Sequence, residues 1–177
     1  ESKGEGAAVL TEHIPSPTYH SLLSELVQRY PKLKLYEHDP AVSQNAREGA
    51  NAVGAVNTSL HLHLNRADVI VSVDSNLFGT EPNSVRNSRL FSEGRRVEGI
   101  ENPKMNRLYS IETGFSGTGA MADNRLRLRS NLIGAFLVRL AAELGIADLG
   151  TIDADFGKET ATVDKWVVAV AEDLKKN

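Results

Sequence analysis

Cysteine is absent from all 177 residues of the chain. That removes disulfides, thiolate nucleophiles, zinc–cysteine sites and cysteine-held iron–sulfur clusters from this segment. It leaves the compartment open, because disulfide-free domains occur on both sides of a membrane. Long apolar runs are missing too. No stretch approaches the ~20 residues needed to cross a bilayer, so direct membrane insertion is not expected. A basic field is also lacking: 20 Lys and Arg stand against 23 Asp and Glu, a formal charge of −3, which argues against nucleic acid as a partner. There is no internal repeat and no low-complexity tract. Neither the nucleophile elbow G-x-S-x-G nor the phosphate loop G-x-x-x-x-G-K-[ST] occurs, so no catalytic residue is assigned. The chain opens at Glu1 without an initiator Met or a signal peptide, and the expectation is a piece of a longer protein.

What is present is an ordinary globular composition, 41% hydrophobic and 24% charged. Gly6–Leu10 is expected as a short apolar first strand, and Leu33–Tyr36, which alternates, as the second. Between them Ser16-Pro17 offers an N-cap and a first-turn proline, Leu22, Leu23, Leu26, Val27 and Tyr30 keep a helical period, and Pro31 ends the helix. A second helix is expected from Asp39-Pro40 to about Val53, with Ala46, Ala50 and Val53 turned toward the sheet. Leu60, Leu62 and Leu64 alternate with His61 and His63, which suggests a short exposed strand or an extended lead-in.

Val69–Val73 is nearly all apolar, the pattern of a strand covered on both faces. A helix from Pro82 to Glu93 should turn Val85, Leu90 and Phe91 inward. Leu108–Ile111 is the next strand, Leu126–Leu128 a short fifth one, and Leu132–Leu144 an apolar helix closed by Gly145. Val163, Trp166, Val167, Val170 and Leu174 stripe a final amphipathic helix. Strands and helices alternating in this way predict an α/β fold. It is a doubly wound, mostly parallel sheet with helices on both faces, Rossmann-like or flavodoxin-like. The expected division is one domain over 1–146, followed by a loop and amphipathic helix over 147–177 packed on it, with the boundary inside 147–157.

In such sheets ligands bind outside the carboxyl ends of adjacent strands. Here those ends carry Asp74, Ser75 and Asn76 after one strand, and Glu112, Gly114, Ser116, Gly117 and Thr118 after the next. With Asp123 they form the candidate cofactor-binding set, and Asp74, Glu112 and Asp123 are expected to converge on a ribose or a cation. Gly117–Ala122 matches G-x-G-x-x-A, but Asp123-Asn124-Arg125 follows where a dinucleotide site needs a helix; a flexible loop holding phosphate through its amides is the plainer reading. His61 and His63, with His38 and Asp39, lack a third convergent ligand, and no metal site is assigned. Arg86, Arg89, Arg95 and Arg96 form a basic run, read as a solvated helix end or a subunit contact.

Ala67–Asp74, the loop carrying Asn76 and Pro82, Met105–Glu112 and Thr118–Leu126 together resemble a molybdopterin oxidoreductase. The likeness is closest to the molybdopterin-oxidoreductase-like iron–sulfur subunit of bacterial alternative complex III, a quinol:cytochrome c oxidoreductase of the respiratory chain. It covers roughly Gly6–Ile146. The resemblance implies that the two strand-end loops correspond to those that hold a pterin nucleotide in cofactor-bearing members. Three contact points depart from that pattern. Asp74 stands in place of a glycine, Glu112 is followed by Thr113-Gly114 rather than Pro-Arg, and Arg129-Ser130-Asn131-Leu132 replaces a Pro-Gly-Thr-Asp turn.

The resemblance therefore implies a degenerate domain that serves as a structural and assembly scaffold in electron transport. Molybdopterin is not expected in this segment, and iron–sulfur clusters are expected elsewhere in the full chain. It further implies a location at the periplasmic face of a bacterial membrane and contacts with other subunits, including a multihaem cytochrome. The alternative is a domain that still binds a pterin or other nucleotide at the strand-end loops. A third reading is an unrelated Rossmann-like binding protein.

Overall fold

A computed structural model describes residues 2–39, 45–55, 58, 60–97, 99, 101, 104–146 and 154–176. The chain divides into two compact units, Glu1–Ser59 and Leu60–Asn177. All the strand pairing among the described residues is parallel, in one two-stranded and one three-stranded sheet. The expected α/β class holds, with a sheet in each unit where a single sheet was expected.

The first unit comprises β1 (Ala8–Thr11), α1 (Pro17–Arg29), β2 (Lys34–Glu37) and α2 (Asn45–Ala52). Ser16 caps α1 as its sequence implies, its Oγ accepting from the Tyr19 amide at 3.4 Å. The Tyr30 amide donates to Leu26 O at 2.8 Å, and Pro31 prevents another turn. No described residue of this unit is fully buried. The expected inward face of α2 is corrected: Ala46 and Val53 are exposed and Ala50 is only half-buried. An eight-residue helix with two alanines at those positions offers little apolar area to bury. The expected start of that helix, at Pro40, lies outside the described residues.

The second unit holds the core. Its strands are β3 (Val69–Val73), β4 (Arg107–Glu112) and β5 (Asn124–Arg127), in the order β3-β4-β5. Its helices are α3 (Ser84–Glu93), the short α4 (Gly117–Met121), α5 (Ser130–Glu143) and α6 (Thr160–Lys176). Alternation along the strands sorts side chains to two faces. Val69, Val71, Val73, Tyr109, Ile111, Leu126 and Leu128 pack with α5 and α6 around Phe136, Phe156 and Val163. Ile70 and Leu108 face the other way, onto Phe91 of α3 and Leu64. The sheet is thus covered on both faces, as the nearly all-apolar run in β3 requires. Burying a phenylalanine of this kind contributes about 1.5–3 kcal/mol.

Several expectations are corrected here. Of the two readings of Leu60–Leu64 the strand does not form: the segment leads without regular structure into a tight turn, Leu64–Arg66, where Leu64 is buried, while Leu60, His61 and His63 stay exposed. In α3 Phe91 is buried and Leu90 packs against the same cluster, as expected, but Val85 is 85% exposed and the buried Asn87 lies one turn before Phe91. Asn87 tolerates burial because its Nδ2 donates to Leu77 O at 3.3 Å. The basic run is largely tied internally. Arg86 Nη1 donates to Leu62 O at 3.1 Å, Arg89 pairs with Glu93 at 3.0 Å, and Arg95 pairs with Asp123. The final helix shares its core with α5, and the sequence boundary expected inside 147–157 lies outside the described residues as far as position 153.

Candidate functional site

The tips of β3 and β4 lie side by side. Val73 is in register with Ile111, and the Asp74 amide continues the ladder by donating to Ile111 O at 2.7 Å. Asp74 then turns with φ of 47°, in the left-handed region. That region favours glycine, and Asp is among the few other residues to accept it. Ser75 follows, its carbonyl accepting from Ser72 Oγ at 3.0 Å. Asp74→Val should cost about 1–2 kcal/mol by chemical denaturation, whereas Asp74→Gly should leave stability equal or slightly higher. Equal midpoints for Val and Gly would contradict this assignment.

On the β4 side the Gly-rich segment is not the open loop expected from sequence. Ser116 caps a one-turn helix, α4, its Oγ accepting from the Gly119 amide at 3.1 Å. The glycine-rich run does turn into a helix, but one of five residues that gives way at once to β5. Within it Thr118 and Gly119 are the buried residues. The signal for this helix was Ser116 itself, an N-cap residue ahead of small side chains.

Glu112, at the last position of β4, is the centre of the arrangement. It is buried, 4% exposed, under α4. Its Oε1 accepts from the Ser116 amide at 3.3 Å and from Arg125 Nε at 2.5 Å. Its Oε2 accepts from Ser116 Oγ at 2.6 Å. Arg125 also donates to Gly114 O at 2.9 Å and lies under the exposed ring of Phe115, 4.8 Å from its centroid. Burial pushes the Glu112 carboxyl up, but the Ser116 hydroxyl and the Arg125 guanidinium outweigh it and hold the group below the usual glutamate range.

The close approach depends on Gly119. A Cβ there would fall on Glu112 Oε1, 2.6 Å from Glu112 Cδ and 2.9 Å from Arg125 Nε. Asn76 lies against the same helix, its Oδ1 3.5 Å from where a Gly117 Cβ would stand. Two buried oxygens here, Asn76 Oδ1 and Thr118 Oγ1, have no hydrogen-bond partner among the described residues.

The structure therefore brings together Asp74, Ser75, Asn76, Glu112, Gly114, Ser116, Gly117 and Thr118. Asp123 does not join them. It precedes β5 at the opposite end of the sheet, where its amide donates to Leu108 O at 3.0 Å and its Oδ2 accepts from Leu108 N at 2.8 Å. Arg95 Nη1 donates to its Oδ1 at 3.0 Å, and Arg95 itself lies over Phe91. Burial raises the Asp123 carboxyl, while Arg95 and the Leu108 amide more than compensate, leaving it below the ordinary aspartate range. In a parallel pair a residue before one strand cannot reach the carboxyl tip of its neighbour, so convergence with Asp74 and Glu112 is ruled out. Sequence reasoning missed Arg125, because its meeting with Glu112 depends on the β4–β5 register.

A carboxylate reading a ribose needs free lone pairs facing the ligand. Glu112 directs both of its oxygens inward, to Ser116 and Arg125, so the residues present do not fit the ribose-reading part of a pterin nucleotide site. Among the described residues no group of three or more His, Asp or Glu could hold a metal ion. No family model matches this chain, and no curated protein matches it.

Proposed function

We propose that the second unit is a degenerate molybdopterin-oxidoreductase-like domain acting as a structural scaffold in a respiratory quinol:cytochrome c oxidoreductase, at the periplasmic face of a bacterial membrane. The single observation that supports it is the Glu112–Ser116–Arg125 network. The position from which a nucleotide would be gripped is closed by the chain's own side chains, which turns a binding tip into a fixed corner of the fold. In this reading electrons pass through iron–sulfur and haem groups held elsewhere in the complex, and this segment takes no chemical step.

A second reading, a domain that still binds a pterin or other nucleotide, is favoured by Asn76 Oδ1 and Thr118 Oγ1. Buried polar atoms without partners cost about 1–3 kcal/mol each, and a ligand could relieve that cost. The two readings separate on the full-length protein isolated from membranes in mild detergent. The scaffold reading expects co-migration with haem on a native gel, and neither nucleotide nor molybdenum released in stoichiometric amount on denaturation. A stoichiometric nucleotide or molybdenum, or a chain that migrates apart from haem, would overturn it.

A further inference from the structure

β5 is an outer strand of its three-stranded sheet, so its far edge carries backbone groups with no strand beside them among the described residues. Its side chains alternate strictly. Leu126 and Leu128 go into the core with α5 and α6, which sends Arg125, Arg127 and Arg129 to the opposite side. The backbone at Arg129 is still extended, with φ −62° and ψ 139°, so the spacing of the strand carries through to it. Only Arg125 is tied down, by Glu112 and Gly114. The side chains of Arg127 and Arg129 are exposed and make no hydrogen bond or ion pair among the described residues. Beside them Phe115, 74% exposed, lies on Arg125.

Among the described residues the patch is thus an unpaired strand edge with two unpaired arginine side chains, borne by residues about 6.5–7 Å apart along the strand, and an aromatic ring at one end. We propose that this edge receives an extended acidic segment of a partner protein. An added strand matches the spacing by construction. Carboxylates two residues apart fall opposite Arg127 and Arg129, an apolar side chain two residues before them meets Phe115, and the main chain pairs with β5. The chain's overall charge of −3 disfavours a long polyanion such as nucleic acid, while leaving a two-carboxylate segment favourable at short range. The inference goes beyond the scaffold reading and does not depend on it, since Arg127 and Arg129 lie outside the residues that form the strand-end notch.

The test uses the 177-residue chain and a fluorescein-labelled peptide, Thr-Leu-Thr-Glu-Thr-Glu-Thr, read by fluorescence anisotropy. The expected result is saturable binding that weakens as salt is raised. It should be weakened about tenfold or more in the double variant Arg127→Glu, Arg129→Glu, and several-fold in Phe115→Ala. All three changes are at exposed positions, so thermal melting should be unchanged. Hydrogen exchange should show amides of 124–127 protected on peptide addition.

Absence of binding at about 1 mM peptide, a weakness near −4 kcal/mol, would overturn the proposal. So would equal binding of a peptide with Lys in place of Glu, or an unchanged affinity in the double variant. The arginines would then serve only to keep the edge unpaired. Lost affinity without protection in β5 would also overturn it. A dimer that dissociates in the double variant would assign the edge to a second copy of the chain instead.

Discussion

Replacing Gly119 with alanine will destabilise the second unit by about 3 kcal/mol, one of the largest effects expected of any single methyl group in this chain. The added carbon would occupy the space of the Glu112 carboxylate and crowd Arg125. Neither neighbour can swing away cheaply. Glu112 is fixed at the end of a buried strand, and any movement separates its charge from Arg125 in a poorly hydrated place. The internal control is Gly134→Ala, an exposed helical position of α5 where a Cβ meets nothing within 4 Å. That change should stabilise by up to about 1 kcal/mol through helix propensity. Opposite signs for the two substitutions in thermal melts are the expected result. Similar midpoints would show that α4 does not rest on Glu112.

The second large effect concerns charge. Glu112→Gln should cost about 2–3 kcal/mol at neutral pH, since it leaves Arg125 partly buried beside a neutral group and spoils one of the two Ser116 contacts. The loss should depend on pH. The folded carboxyl lies below its unfolded value of about 4.3, so its contribution is complete above that value and fades as pH falls through the folded one. Wild type should therefore lose stability on acidification below about pH 4.3 more steeply than the variant. Asp123 is depressed in the same direction, so the variant keeps a residual acid slope. Parallel pH profiles for the two proteins would remove Glu112 from the account.

How much of this was legible in the sequence follows from what sets each feature. β3 was readable because all its residues but Ser72 are apolar, and only a strand covered on both faces needs that. The α1 boundaries were readable because Ser16, Pro17 and Pro31 act locally. α3 was placed correctly, and Leu90 and Phe91 do pack inward, but Val85 does not. Val85 was expected in the core and Asn87 was not named, because the acceptor that makes Asn87 tolerable, Leu77 O, belongs to the preceding loop. The same limit applies to the site.

Asp74, Asn76 and Glu112 were identifiable from their positions after apolar runs. The role of Glu112 was not, because its partner Arg125 sits 13 residues away on a strand whose register no local pattern sets. Asp123 failed for the complementary reason. Proximity in sequence to a glycine-rich loop suggested a strand tip, while parallel pairing placed it at the strand's beginning. Features fixed by neighbours in sequence were recoverable; those fixed by the pairing of distant strands were not.

The most direct measurement is a carbon-detected NMR titration of the Glu112 carboxyl, with and without a nucleotide panel of AMP, GMP and NAD at millimolar concentration. The account predicts a carboxyl that titrates below the ordinary glutamate range and a resonance that no nucleotide moves. An ordinary titration, or a resonance displaced by any of the three, would contradict it.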